Sequence, residues 1–531
     1  MSDAKSGSFD PEKSSSYGRG SVPDDFHEAS LLERLSDSVP RSKFAQLWAI
    51  VKFLDKYGVE ARGIERVPPD QPPLSAFWMW LAANMTITTF SLGCLGGPVF
   101  SLGFKDAALT IIIFNLLCNL PVAYFSTWGP KLGLRQITLS KFSFGYFTSQ
   151  IPIILNCIAC VGGSVVNSIV GAQTLRAVST AHQIPTAAAI VVIAIGPITI
   201  SFMGYRVVHL YEQYAWIPVC QIARFIETDF GSSGTFEAGD VLSFGATIGV
   251  SHALPQSSFG TNVCPLRAGF AIGWVSASSY AADYTVRMPE DMSSVKIFFW
   301  TYLGLNVPLI LVEILGAAAM STFNQKTTWA DAYAKNSVGG LLGAGLAGPM
   351  GGFGSFLLVI MALSIIATNI PTMYSLALTF QNIHPYAQAI PRIFIVIIGS
   401  VVYIILAIAG ASHFVEWLET ILDLLAYWFA IFSAILIEEH LIFRRGKWSN
   451  YNPEDHNNWR KLPLGVASFI ALSCGIAGAV LGMAQSWYIG IIGGMIGNPD
   501  FGGDVGFELA FAFSAILYPP FRWIEKVYWG Y

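Results

Sequence analysis

Hydrophobic positions along this chain come in long unbroken runs instead of the one-faced stripes of a soluble fold. From Leu74 to Tyr518, apolar stretches of about 17 to 25 residues, the length a bilayer core demands, recur between polar or Gly/Pro-rich breaks. The clear ones begin near Leu74, Ala107, Ile151, Pro185, Ile297, Phe353, Ile393, Ile421, Leu464 and Phe507. Two are irregular: the fifth, from Val207, is interrupted by Arg224, Glu227 and Asp229, and the sixth, from Val241, is split by a polar stretch over residues 250–268. The pattern predicts an all-α polytopic membrane protein with about 12 transmembrane helices over residues 71–520. Residues 1–70 read as a cytoplasmic N-terminal tail. Its first part is too poor in apolar side chains to fold alone, and Phe44 to Tyr57 spaces apolar residues among lysines as an interfacial helix would. Residues 521–531 read as a cytoplasmic C-terminal tail.

Composition agrees with lipid as the solvent: 53% of residues are hydrophobic and only 12% charged, with a mean hydropathy of +0.53. The net charge of −4 is small and the basic residues are scattered, which argues against a nucleic-acid partner. Their distribution gives an orientation. Lys131, Arg135, Lys141, Arg206, Arg287, Lys296, Arg392, Arg444, Arg445, Lys447, Arg460 and Lys461 fall in loops on the side of the N-terminus, against Lys105, Arg176, Arg224, Lys326 and Lys335 opposite. Basic loops stay in the cytoplasm, so both termini are expected inside. Most of the seven cysteines lie in apolar runs, so Cys157 and Cys160 read as packing thiols and no disulfides are expected. No phosphate loop, H-E-x-x-H or G-x-S-x-G motif occurs. No enzyme activity, catalytic residue, metal or cofactor is expected.

Interruptions inside spans carry the functional signal, because irregular backbone survives at membrane depth only where it lines a cavity or packs within protein. The first span reads NMTITTFSLGCLGGP, where Thr88 and Thr89 lead into Gly93, Gly96, Gly97 and Pro98. The sixth holds FGATIG and GFAIGW, with Gly245 and Gly273. Broken spans at positions one and six are what a five-plus-five inverted repeat with two extra C-terminal helices would set opposite each other around a midplane site. The eighth span, ALSIIATNIPTMYS, gathers Thr368, Asn369 and Thr372 around Pro371, which frees a carbonyl within the helix. Asn369 and, in the third span, Asn167 offer amide donors and acceptors that suit the edge of a nucleobase; a helix–helix hydrogen bond is the alternative for each. Glu313 is an intramembrane carboxylate, so it is a candidate for binding a coupling proton or for a structural hydrogen bond to a neighbouring helix. Asp423 reads as interfacial.

The stretches GPKLGLRQITLSKFSFGY (129–146), VNSIVGAQ (166–173), YAADYTVRMP (280–289) and YWFAIFSAILIEEHLIFRR (427–445) resemble fungal purine-cytosine permeases of the nucleobase-cation symporter family. The similarity runs from about Tyr57 to the C-terminus. It implies twelve spans, the five-plus-five fold and proton-coupled nucleobase uptake at the plasma membrane by alternating access. It also implies substrate contacts from Thr88, Thr89 and Asn167, and a stacking role for Trp274 in GFAIGW, which otherwise reads as an interfacial belt residue.

Three departures from the family pattern stand out. Gly163 occupies a position usually filled by tryptophan, and the eighth-span pattern A-N-N-x-P-N is here Ala367 to Thr372, with hydroxyls replacing two amides. These changes open a second reading, transport of another heterocycle such as a vitamin or nucleoside. Removing Val250 to Ala268 would join FGATIG to GFAIGW, so residues 250–268 read as a non-family insert and a retained intron. If the insert stays in the protein, a transport-inactive membrane relative or sensor becomes the alternative. Transcript sequencing should find mature message without this segment.

Overall fold

The computed structural model describes residues 71–94, 103–179, 182, 184–202, 280–323, 326–388, 390–411, 427–485, 487–495 and 504–530, all within one compact unit, Gly58–Tyr531. Among them the chain is helical, with α1 (Leu74–Asn84), α2 (Ile87–Gly93), α3 (Phe104–Ser126), α4 (Gln150–Arg176), α5 (Thr186–Phe202), α6 (Ser294–Ser321) and α7 (Thr327–Leu342). There follow α8 (Gly352–Leu363), α9 (Ile365–Gln381), α10 (Arg392–Gly410), α11 (427–438), α12 (Val466–Gly482) and α13 (Gly506–Trp529). Among the described residues five stretches are long and apolar enough to cross a membrane: Phe104–Leu132, Gln150–Arg176, Ser294–Ser321, Gly352–Gln381 and Arg392–Gly410. The fifth and sixth spans, with the 250–268 insert, lie outside the described residues.

The distribution of side chains inverts that of a soluble protein. Leu109 on α3, Ile398 on α10 and Ile516 on α13 are 57%, 63% and 68% exposed, whereas many hydroxyls and amides are fully buried. Lipid solvates the first group, and the second serves as interhelical glue where no hydrophobic force drives helices together.

Two helix groups face each other. In the first, α6 packs along α3 and against both halves of the broken first span, α1 and α2. Asn119 Nδ2 donates to Asn306 Oδ1 at 3.1 Å and Asn115 Nδ2 to Glu313 Oε2 at 2.6 Å, so α3 and α6 are pinned at two heights. In the second, α4 packs against α5, α8, α9 and α10. An element not anticipated from the sequence, α7, joins α6 to α8 and lies on α4. It is kinked at Asn336 and Ser337, and Ser337 takes a φ of 47°.

The last two helices, α12 and α13, form their own pair. α13 runs through Pro519 and Pro520, so the segment from 521 read as a tail continues it as helix to Trp529. There Arg522 and Glu525 reach a buried charge cluster. Glu439, at the π-helical end of α11, accepts from Arg522 Nε at 3.0 Å and Nη2 at 3.1 Å, from Arg444 Nε at 3.0 Å and from Tyr518 at 3.0 Å. Glu525 accepts from the amides of Gly465 and Ala467 and so satisfies the orphan donors that start α12. Removing one partner of such a pair strands a buried charge. Glu439→Ala should therefore lower unfolding stability by about 3–5 kcal/mol, seen as a large drop in melting temperature in detergent. Asp455→Ala, at the exposed Lys461–Asp455 pair, should leave the melting temperature unchanged.

Candidate functional site

The first span breaks at Met85 and Thr86, where Thr86 is extended at φ −134°, ψ 166°. The glycines had suggested a later break. Instead Gly93 ends α2 and serves close packing, since a Cβ there would lie 1.9 Å from the Glu313 carbonyl oxygen. Gly96 and Gly97 lie outside the described residues, as do Gly245, Gly273, Trp274 and Asp423.

A break leaves orphan amides at the start of α2 and orphan carbonyls at the end of α1. α9 and its leading residue supply partners for both. The Ile87 amide donates to Ser364 Oγ at 3.2 Å, and Thr368 Oγ1 donates to the Ala83 carbonyl at 2.9 Å. Thr89 closes the break locally by donating to the Asn84 carbonyl at 2.6 Å. Thr372 donates back to the Thr368 carbonyl at 2.9 Å, beside Pro371, whose own carbonyl accepts from Tyr284 at 2.7 Å.

These contacts bring three helices together around a chain of polar groups. Thr88 Oγ1 donates to Asn167 Oδ1 at 3.0 Å, Asn167 Nδ2 to Asn369 Oδ1 at 3.0 Å, and Asn369 Nδ2 to Ser168 Oγ at 3.4 Å. Thr88 and Asn369 are 0% exposed and Asn167 is 2% exposed. Thr88, Asn167 and Asn369 thus meet where the two helix groups face each other, and Thr372 sits one turn along α9 from Asn369. Gly163, one turn before Asn167 on α4, borders open space: a Cβ there would meet no heavy atom of the described residues within 4 Å.

A second polar cluster closes one end of the same interface, and sequence reasoning missed it. Asp283, buried in a short 3-10 helix (Ala281–Tyr284), accepts from the Gln136 amide at 2.9 Å and from Ser375 Oγ at 3.3 Å. Arg135 donates to the Asp283 carbonyl and to the Tyr374 hydroxyl, and Arg392 lies 4.1 Å over the Tyr374 ring. YAADYTVRMP and Arg135 were visible as a motif and a loop charge. Nothing in the sequence joins Asp283 to a partner 148 residues away.

With this geometry the family match is informative. Residues 70–490 fit the family described as permeases for cytosine/purines, uracil, thiamine and allantoin. The chain belongs to that permease family. The purine-cytosine permease fcyB of Emericella nidulans is 45% identical over 486 residues, which span 91% of this chain and 92% of that protein. The purine-cytosine permease FCY2 of Saccharomyces cerevisiae is 38% identical over 93% of this chain and 91% of its own. The fold matches that of Mhp1, a nucleobase-cation-symport-1 family transporter solved in a closed conformation with bromovinylhydantoin bound. The TM-score is 0.62 at 16% identity, covering 88% of this chain and 95% of that one. The permease is therefore a multi-pass membrane transporter and not an enzyme.

In this permease Asn167→Ala deletes the acceptor of Thr88 and the donor to Asn369 together. A stranded buried polar group costs about 1–3 kcal/mol, so unfolding stability should fall by roughly that amount, seen as a lower melting temperature in detergent. Asn156→Ala, on the same helix but bonded to Thr379 at 2.7 Å, should lower melting temperature and leave affinity unchanged.

Proposed function

We propose that this transporter imports purine or cytosine-like nucleobases across the plasma membrane by proton symport, with opposite faces of one midplane site opening in turn. The observation that carries the reading is the buried chain through Thr88, Asn167 and Asn369. A nucleobase edge alternates donors and acceptors, and two facing amides with flanking hydroxyls answer it in kind. The purine-cytosine names of the relatives support the same class. In this reading Thr89 and Thr372 flank the amides, Trp274 stacks on the ring, and Gly96, Gly97, Gly245, Gly273 and Pro371 give the spans the irregularity that gating needs, while Gly93 lets α2 sit on α6. Both termini then lie in the cytoplasm.

A larger heterocycle is the second reading, supported by the missing side chain at Gly163, where a Cβ would meet no heavy atom of the described residues within 4 Å. The family description itself extends to thiamine and allantoin.

The test is uptake of radiolabelled adenine, cytosine and hypoxanthine in a permease-deficient cell. Saturable accumulation that stops when the pH gradient is collapsed is expected. Accumulation that persists after collapse would rule out proton coupling, and surface protein with no uptake would leave a transport-inactive relative. Unlabelled thiamine and nucleosides as competitors decide the second reading. Gly163→Trp should fill the open space and weaken competition by bulky compounds more than by adenine.

A further inference from the structure

Four carboxylates are buried among the described residues, Asp283, Glu313, Glu439 and Glu525. Asp283 and Glu525 accept from backbone amides, and the two that are 0% exposed, Glu439 and Glu313, have surroundings that differ in kind. Glu439 is met by two arginines and a tyrosine, a setting built for permanent negative charge. Glu313, well inside α6, is 0% exposed and is met by one neutral amide: Asn115 Nδ2 donates to Oε2 at 2.6 Å. Its other oxygen, Oε1, is buried with no hydrogen-bond partner, and no cation pairs with it among the described residues. A lone carboxylate there would bear the cost of a buried charge unless it carries a proton.

We propose that Glu313 is the binding site of the coupling proton, an inference that rests on the proton-symport reading above. The carboxylate takes H⁺ at Oε1 from water on one side of the membrane, becomes a neutral acid, and returns the same H⁺ to water on the other side. No other bond changes.

The packing gives proton and substrate a shared mechanical part. The Glu313 carbonyl lies against Gly93, and Gly316, one turn on, lies against the Phe90 carbonyl, where a Cβ would come within 2.3 Å. Both contacts seat α2 on α6. α2 also carries Thr88, which bonds the amide chain about 7.5 Å along its axis from Gly93 at 1.5 Å rise per residue. A seven-residue helix is a small piece, so a shift that remakes the Thr88 contact also moves the packing against the Glu313 backbone. Among the titratable groups of the described elements packed against α6, the Cys94 thiol donates to the Gly316 carbonyl at 3.7 Å, with the Tyr333 phenol of α7 near that thiol. Lys105 and Asp106 sit at the start of α3, about 14–15 Å along that helix from Asn115. None of these is a cation at hand to hold a charged Glu313.

Glu313→Gln keeps the volume and an oxygen for Asn115 and removes the proton. Uphill accumulation of radiolabelled adenine should be lost and its pH dependence flattened, while exchange of internal for external adenine stays within about twofold of wild type. Glu313→Asp, which keeps a carboxyl, should retain pH-dependent accumulation. Accumulation by Glu313→Gln that still follows the pH gradient would overturn the proposal, since a purely structural hydrogen bond predicts that result. Infrared spectroscopy of the purified protein supplies a readout without substrate. A protonated-carboxyl C=O band should appear in wild type, be displaced in Glu313→Asp and vanish in Glu313→Gln. A band unmoved by Glu313→Asp overturns the proposal even if Glu313→Gln does not fold. Failed adenine uptake with the band behaving as expected would sink the nucleobase reading alone.

Discussion

Inside a bilayer, a helix that stops must hand its last carbonyls and its next amides to some other group, because no water is there to take them. The first span stops between Asn84 and Ile87 and is repaired largely by one other helix segment: Ser364 takes the amide of Ile87, and Thr368 supplies the Ala83 carbonyl. This reciprocal repair fixes α2 against α9. Once α2 is fixed, Thr88 falls opposite Asn167 and Asn167 opposite Asn369. The polar chain is therefore a by-product of solving a backbone problem. The same short helix then has one face left for α6, which is where the glycine contacts at Gly93 and Gly316 bring it against Glu313.

Charge is distributed by a similar logic. The end of α13 concentrates full ion pairs, with Arg522 between Glu439 at the end of α11 and Glu525. The helix groups that meet at the amide chain rely on neutral hydrogen bonds there, which are easier to exchange. Charged side chains at their interface gather around Asp283 and Arg135, where the hydrogen bonds run to the Asp283 carbonyl and from the Gln136 amide.

Periodicity and length sufficed for most of the helices. Those at Leu74, Gly352, Arg392 and Val466 start within a turn of where hydropathy placed them. Asn167 and Asn369 stood out because an amide in an apolar run needs a partner, and each makes the helix–helix hydrogen bond that was the alternative to a substrate contact; Thr88 was singled out by the family resemblance. The exact break was not legible, since Met85 and Thr86 carry no glycine or proline and the stop is imposed by tertiary partners. α7 escaped notice because its pattern is neither long nor apolar enough for a span. The Asp283 cluster was hidden for another reason: its members come from separate loops and helices, and only the fold brings them together.

The amide chain begins and ends on hydroxyls, Thr88 and Ser168, and a hydroxyl can give or take with equal ease. Rotating both Asn side chains by half a turn about their last bond would reverse every donor and acceptor along the line, but Ser168 would then have to give up the bond it donates to the Ser164 carbonyl at 2.7 Å. That bond holds the line in its present polarity. A single hydroxyl hydrogen at the far end thus decides which way the amides on α4 and α9 face, and the stitch between the two helix groups has a direction as well as a strength.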